Sequence, residues 1–244
     1  VQAAGARACV APAHDGSHGP AYGHDLDAMY KLVGPDTRLV FIANPNNPTG
    51  TWLESDALEA FISSLPAHVM VVVDEAYFEY VDKPGYPDTS TWLQRFPNLI
   101  VTRTFSKAYG LAALRIGYAL SHQNVADMLN RVRQPFNVNA VAQAAALAAL
   151  DDSQHLQDCV ERNHAGMQQL TAGFRKLGLP YIESAGNFVA LQTGRGAERY
   201  EALLQRGVIV RPVANYGLPD HLRVTVGRAD ENARLLAALE QVLA

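Results

Sequence analysis

LIVTRTFSKAYGLAALRIGY, residues 99–118, is the stretch from which the rest of the chain is read. Residues 99–103 include Leu, Ile, Val and Thr, the composition of a buried strand. Ser106 and Lys107 follow directly, then the small residues Ala108, Gly110, Ala112 and Ala113. Open α/β sheets bind ligands beyond the carboxyl ends of their strands, which is where this order puts Lys107. An amine desolvated there becomes a nucleophile toward aldehydes. Arg115 lies eight residues further on, past a turn able to bring it back beside Lys107. A lysine after a strand also fits a solvated surface group. Its weight comes from two motifs upstream.

The first is NPNNPTG, residues 44–50, after the apolar strand RLVFIA, residues 38–43. Two prolines and a glycine impose a rigid, irregular turn and remove backbone donors. Asn44, Asn46 and Asn47 then offer side-chain amides at the strand's carboxyl end. The same turn also fits a plain lead into a helix over 55–65, with Leu58, Ile62 and Leu65 facing the core. The second motif is VMVVVDEAY, residues 69–77. Residues 69–73 are apolar on both faces, as in a parallel sheet covered by helices. Asp74, Glu75 and Tyr77 follow at its mouth. An unpaired carboxylate in apolar surroundings costs several kcal/mol, so Asp74 needs a cation or donors; a helix N-cap or a structural ion pair would also satisfy it. Glu75 and Glu79 read as structural or solvated.

Three successive strand ends thus carry an amide, a carboxylate with a phenol, and a lysine with an arginine. Strand–helix alternation puts all three at one rim of an α/β sheet. A ligand suited to an amine, a carboxylate, phenol and amide donors and an anion-binding arginine is pyridoxal phosphate.

NPNNPTG, DEAY and RTFSKAYGLAALRIGY together resemble the fold-type I pyridoxal-phosphate aminotransferases. PFNVNAVAQAAALAAL, GNFVAL and VRPVANYGLPDHLRVTVG narrow the resemblance to the histidinol-phosphate aminotransferase family. It implies a large domain over 1–150 with a mostly parallel sheet, a connecting helix over 151–178 and a small α/β domain over 179–244. It implies transfer of an amino group between L-histidinol phosphate and 2-oxoglutarate. Lys107 would hold the cofactor covalently and then move a proton. Asp74 would pair with the pyridine nitrogen. Asn47 and Tyr77 would bond the ring's phenolic oxygen, and Ser106 and Arg115 the cofactor phosphate. Arg223, helped by Arg211, would grip the substrate's anionic group, with Asn187 nearby. Taken without the resemblance, Arg211 fits a structural ion pair. The same scaffold also serves aminotransferases for aromatic or other amino acids and a threonine-phosphate decarboxylase. A homodimer is implied.

With 48% hydrophobic and 18% charged residues and a net charge of −4, the 244-residue chain can bury a large core. It has no clustered basic face for nucleic acid and no apolar run of membrane-span length. Cys9 and Cys159 form no CxxC pair, which fits a reducing cytoplasm; Cys159 lies in a helical pattern and reads as packing. His14, His18 and His24 fall in a Gly-rich loop over 14–27 whose spacing suits no metal site. Residues 1–10 read as an interior segment, the end of a helix running into a strand over 8–11. The family's N-terminal arm, glycine-containing phosphate loop and ring-stacking aromatic find no match here. The expectation is a poor catalyst on its own, a folded but incomplete fragment, with exposed apolar surface near 1–10 and 39–42.

Further along, helices are expected over 26–33, 125–133, 139–150 and 155–177, the last with His155 and His164 on its surface. The final unit is expected to hold strands near 181–183, 188–192, 208–211 and 222–226. Its helices would lie over 197–206 and from Asp230, the latter burying Leu235, Leu236, Leu239 and Val242.

Overall fold

A computed structural model describes residues 2–243; Val1, in the segment expected to expose apolar surface, lies outside them. The first sheet is made of β1 (Leu39–Ala43), β2 (Met70–Asp74), β3 (Leu99–Thr104) and β4 (Gly117–Ser121), in that spatial order. β1, β2 and β3 run parallel, and β4 closes the edge antiparallel to β3. The fold class is α/β with a mostly parallel sheet, as expected. β4 was not anticipated: none of its five residues is fully buried, and only Tyr118 and Leu120 mark an inner face.

Register sorts the two faces of this sheet. Val40 pairs with Val71 and Ile42 with Val73, while Val71 and Val73 pair on with Leu99 and Val101. These six side chains are buried beneath Leu58, Phe61 and Ile62 of α2 (Ser55–Ser64). The opposite face is different. Met70, Val72 and Ile100 are half-buried, and Leu39 and Phe41 are 50% and 55% exposed. So residues 69–73 are apolar on both faces but fully covered on one. The expected exposure over 39–42 holds for Leu39 and Phe41 and fails for Val40 and Ile42, because strand side chains alternate. Val10 is exposed. The strand expected over 8–11 is absent: those residues are irregular, and nearby only Ala13 and His24 make an isolated bridge.

The His-rich loop is tied to β1 through His24, whose Nε2 lies 2.8 Å from the Ala43 carbonyl oxygen. Burial lowers the His24 pKa, opposed by that hydrogen bond. The folded chain therefore binds this proton less readily than the unfolded chain, and stability is lost as pH falls below about 6.5. Urea unfolding at pH 7.5 and 5.5 checks this. His24→Gln, which keeps a donor, should show a smaller loss on acidification than the parent; an equal loss contradicts the assignment.

After α1 (Leu26–Lys31), α2, α3 (Gln123–Val132) and α4 (Ala140–Asp151), the long α5 (Ser153–Lys176) leads to a second sheet. Asp25, Asn139 and Asp152 cap α1, α4 and α5 by accepting from backbone N–H groups. The second sheet contains β5 (Tyr181–Ile182), β6 (Phe188–Gln192), β7 (Arg211–Pro212) and β8 (His221–Thr225), ordered β5-β6-β8-β7 and antiparallel throughout. The strand expected over 208–211 is displaced: Val208 and Val210 bury their side chains, but pairing begins only at Arg211. α6 (Gly196–Leu204) and α7 (Ala229–Leu243) complete the unit. Leu170 and Phe174 of α5 meet Val189, Leu191, Leu222 and Val224 of the sheet and Leu235, Leu239 and Val242 of α7. Leu236 packs only partly buried.

Alternation in this second sheet decides the site. Ala190 pairs with Arg223, and Phe188 with Thr225. With Val189, Leu191, Leu222 and Val224 committed to the core, Phe188 and Arg223 turn to the other face. That face looks toward the carboxyl rim of the first sheet.

Candidate functional site

At the end of β1, Asn44 is fully buried; its N–H donates to the Asp74 carbonyl (2.9 Å) and its Oδ1 accepts from the Leu53 N–H (2.8 Å). Asn46 Nδ2 donates to Thr49 Oγ1 (2.8 Å). These two asparagines fix the loop. Asn47 reaches outward, and its Oδ1 accepts from Arg223 Nη1 at 2.6 Å. Gly50, at φ +80°, sits where a Cβ would strike Ser184, and its carbonyl accepts from the Ala185 N–H (2.9 Å). Only glycine allows the second unit this approach.

At the end of β2, the Asp74 carboxylate is exposed and accepts from the Ala76 N–H (3.2 Å). Tyr77 is buried edge-to-face against Phe188, ring centres 5.1 Å apart. At the end of β3, half-buried Lys107 puts its Nζ 5.2 Å from the centre of the Tyr77 ring. Arg115 takes a left-handed conformation (φ +53°), which turns it back; its Nη1 donates to Ala112 O (2.8 Å) and reaches Ser106 Oγ (3.4 Å). The expected return of Arg115 toward Lys107 therefore ends on Ser106, the neighbouring residue.

Arg223 and Arg211 are direct cross-strand partners. Arg223 stacks its guanidinium 4.9 Å from the Phe188 ring centre. Its Nε is buried and, among the described residues, has no hydrogen-bond partner. Burial lowers the Arg223 pKa, the nearby Tyr77 opposes this and Arg211 reinforces it. Arg211 is exposed, with Nη2 3.4 Å from the Tyr216 hydroxyl. Asn187 lies apart from these: its carbonyl accepts from the Val226 N–H (2.9 Å). Burial pushes the Tyr80 pKa up. Asn47, Tyr77, Lys107 and Arg223 thus form one contiguous cluster, with Asp74, Ser106, Arg115 and Arg211 at its margins.

Of the structural and solvated readings open for Glu75 and Glu79, burial selects the structural one: Glu75 is fully buried in an ion pair with Arg103, and Glu79 buries its Oε2. One reading needs correction. His164 is more than a surface residue, with its Nε2 3.1 Å from the Tyr80 carbonyl oxygen. Phe188 was missed as a site residue, although GNFVAL alternation with Arg223 could have found it. A cavity of about 1090 Å³ lies elsewhere, between the His-rich loop, α2 and β5, and no residue of the cluster lines it.

The family described as "Aminotransferase class I and II" matches residues 2–239. The chain is 60% identical over its whole length to histidinol-phosphate aminotransferase 2 of Methylococcus capsulatus and 57% identical to histidinol-phosphate aminotransferase 1 of Nitrosococcus oceani. It spans 66% and 64% of the lengths of these relatives. Histidinol-phosphate aminotransferase from Sinorhizobium meliloti, solved in complex with pyridoxal-5'-phosphate, superposes with a TM-score of 0.81 at 35% identity, over 90% of this chain and 61% of that one. The architecture is that of the fold-type I enzymes. With strand-end residues and family match in agreement, the chain belongs to the class I and II aminotransferases.

Proposed function

We propose that the rim cluster is the pyridoxal-phosphate site of an aminotransferase that moves an amino group between L-histidinol phosphate and 2-oxoglutarate. The observation that carries this reading is Arg223, a half-buried guanidinium beside a second arginine, its buried Nε without a hydrogen-bond partner and no carboxylate against it among the described residues. Like charges opposite each other in a sheet are unfavourable unless an anion joins them. Arginine's planar fork suits a carboxylate or a phosphate, and both substrates carry one.

The donor set fits the cofactor. Pyridoxal phosphate, when bound, supplies an electron sink for the substrate's α-carbon. Lys107 holds it through Nζ and, once released, carries a proton at that atom. Asp74 accepts from the protonated pyridine nitrogen. Because Arg223 occupies Asn47 Oδ1, the Asn47 Nδ2 is left as donor to the phenolic oxygen. The Tyr77 hydroxyl is the second donor there. Ser106 and Arg115 bind the phosphate, and Arg211 assists Arg223. Asn187 would lie close to the substrate, as the residue directly before Phe188.

The division into 1–150, 151–178 and 179–244 belongs to the same reading, with substrate held between the two sheets. A homodimer is supported by exposed apolar residues along α3, α4 and the segment between them, among them Val132, Phe136, Val141 and Leu147. A reducing cytoplasmic setting is supported by two free cysteines. Among the described residues no helix is long and apolar enough to cross a membrane. The test mixes the chain with pyridoxal phosphate, L-histidinol phosphate and 2-oxoglutarate and follows glutamate. Glutamate formed faster than with L-phenylalanine as donor supports the reading. The reverse order contradicts it.

A further inference from the structure

Behind the rim lies a charged network that has no part in the chemistry above. Glu75 is fully buried one residue after Asp74. Its Oε1 accepts from Thr89 Oγ1 (2.6 Å) and the Thr89 N–H (3.2 Å). Its Oε2 accepts from Arg103 Nε (2.9 Å) and Nη2 (2.7 Å). Arg103 Nη2 also donates to Asp88 Oδ1 (2.6 Å), and the guanidinium lies 3.6 Å from the centre of the Phe78 ring. One carboxylate thus gathers β2, β3 and the segment at residues 88–89.

The Asp74 side chain has no comparable support. It is exposed and receives a single 3.2 Å bond from Ala76 N–H. Its direction is set by the backbone at the end of β2, where Asp74 O accepts from Asn44 N–H and Glu75 N–H donates to Thr102 O. The Glu75 side chain anchors that same backbone from its buried side. A buried ion pair is seldom the most stable filling for a core; apolar residues of similar volume often do as well or better. What it adds here is a fixed geometry.

We infer that Glu75 and Arg103, braced by Asp88 and Thr89, are positioning residues that aim Asp74 and Tyr77 at the bound cofactor. This rests on the pyridoxal-phosphate reading given above.

Three variants test it, each measured for thermal midpoint, pyridoxal-phosphate affinity and the induced circular dichroism of the bound cofactor. Asp88→Asn keeps the cap on Ser90 N–H and removes only charge; its affinity should fall several-fold. Glu75→Gln should weaken affinity at least about tenfold and diminish the dichroism. Glu75→Leu with Arg103→Met removes both charges and should recover the thermal midpoint, while affinity and dichroism stay low. A double variant that regains all three readouts would make the pair purely structural and overturn the inference. Unchanged affinity in Asp88→Asn and Glu75→Gln would also overturn it. If the unmodified chain binds no pyridoxal phosphate, the underlying reading fails and this inference falls with it.

Discussion

Lys107→Ala is expected to abolish covalent capture of pyridoxal phosphate and to reduce amino transfer to background, while the thermal midpoint changes little. The side chain is half-buried and rests its amine over the Tyr77 ring. Such a contact contributes about 0.5–1 kcal/mol, a small part of a domain's stability. The chemistry, by contrast, has no second amine over Tyr77 among the described residues. Circular dichroism at 222 nm and intact mass after borohydride treatment give both readouts. A variant that still gains the mass of the reduced cofactor would show that the nucleophile is another residue.

The second large effect belongs to Asp74. Asp74→Asn keeps shape and the bond from Ala76 N–H but removes the charge that, in the proposed site, would pair with the pyridine nitrogen. Loss of one fixed electrostatic partner at a reacting centre typically costs about 10²–10³ in rate. Single-turnover proton abstraction should slow by about that factor, with cofactor affinity reduced much less. Stability should barely move, because the carboxylate is exposed and makes no ion pair among the described residues. A near-normal single-turnover rate would reassign Asp74 to a structural role.

Much of this arrangement is legible in the amino-acid sequence. Residues 69–73 and 99–103 are apolar enough to specify buried strands, and β2 and β3 lie within one residue of those bounds. Parallel order followed from the helix between β1 and β2, since a parallel pair needs a crossover. What escaped has physical causes. β4 is a five-residue edge strand with no fully buried residue, and only half-buried Tyr118 and Leu120 mark its inner face, too short a pattern to announce a strand. β7 is two residues long and includes Pro212, which cannot donate to a ladder.

The site was legible where chemistry is concentrated at strand ends and less so where packing decides. Asn44, Asn46 and Asn47 look equivalent in the sequence. Hydrogen bonds separate them, two into the loop and one into the cleft. Glu75 follows Asp74 directly, yet strand alternation sends it to the buried side, where Arg103 meets it. Composition could not reveal that partner, because the two residues are 28 positions apart in the chain. Phe188 and Tyr77 share a contact that depends on how the second sheet faces the first.

The central claim is that the ends of β1, β2 and β3 form one cofactor site with Lys107 as its covalent anchor. Its most direct test treats the unmodified chain with pyridoxal phosphate and borohydride, digests it and sequences the labelled peptide by mass spectrometry. The account predicts a single modified peptide carrying the reduced cofactor on Lys107, with labelling suppressed when L-histidinol phosphate is added first. Label spread over Lys31, Lys83 and Lys176 as heavily as on Lys107 would contradict it.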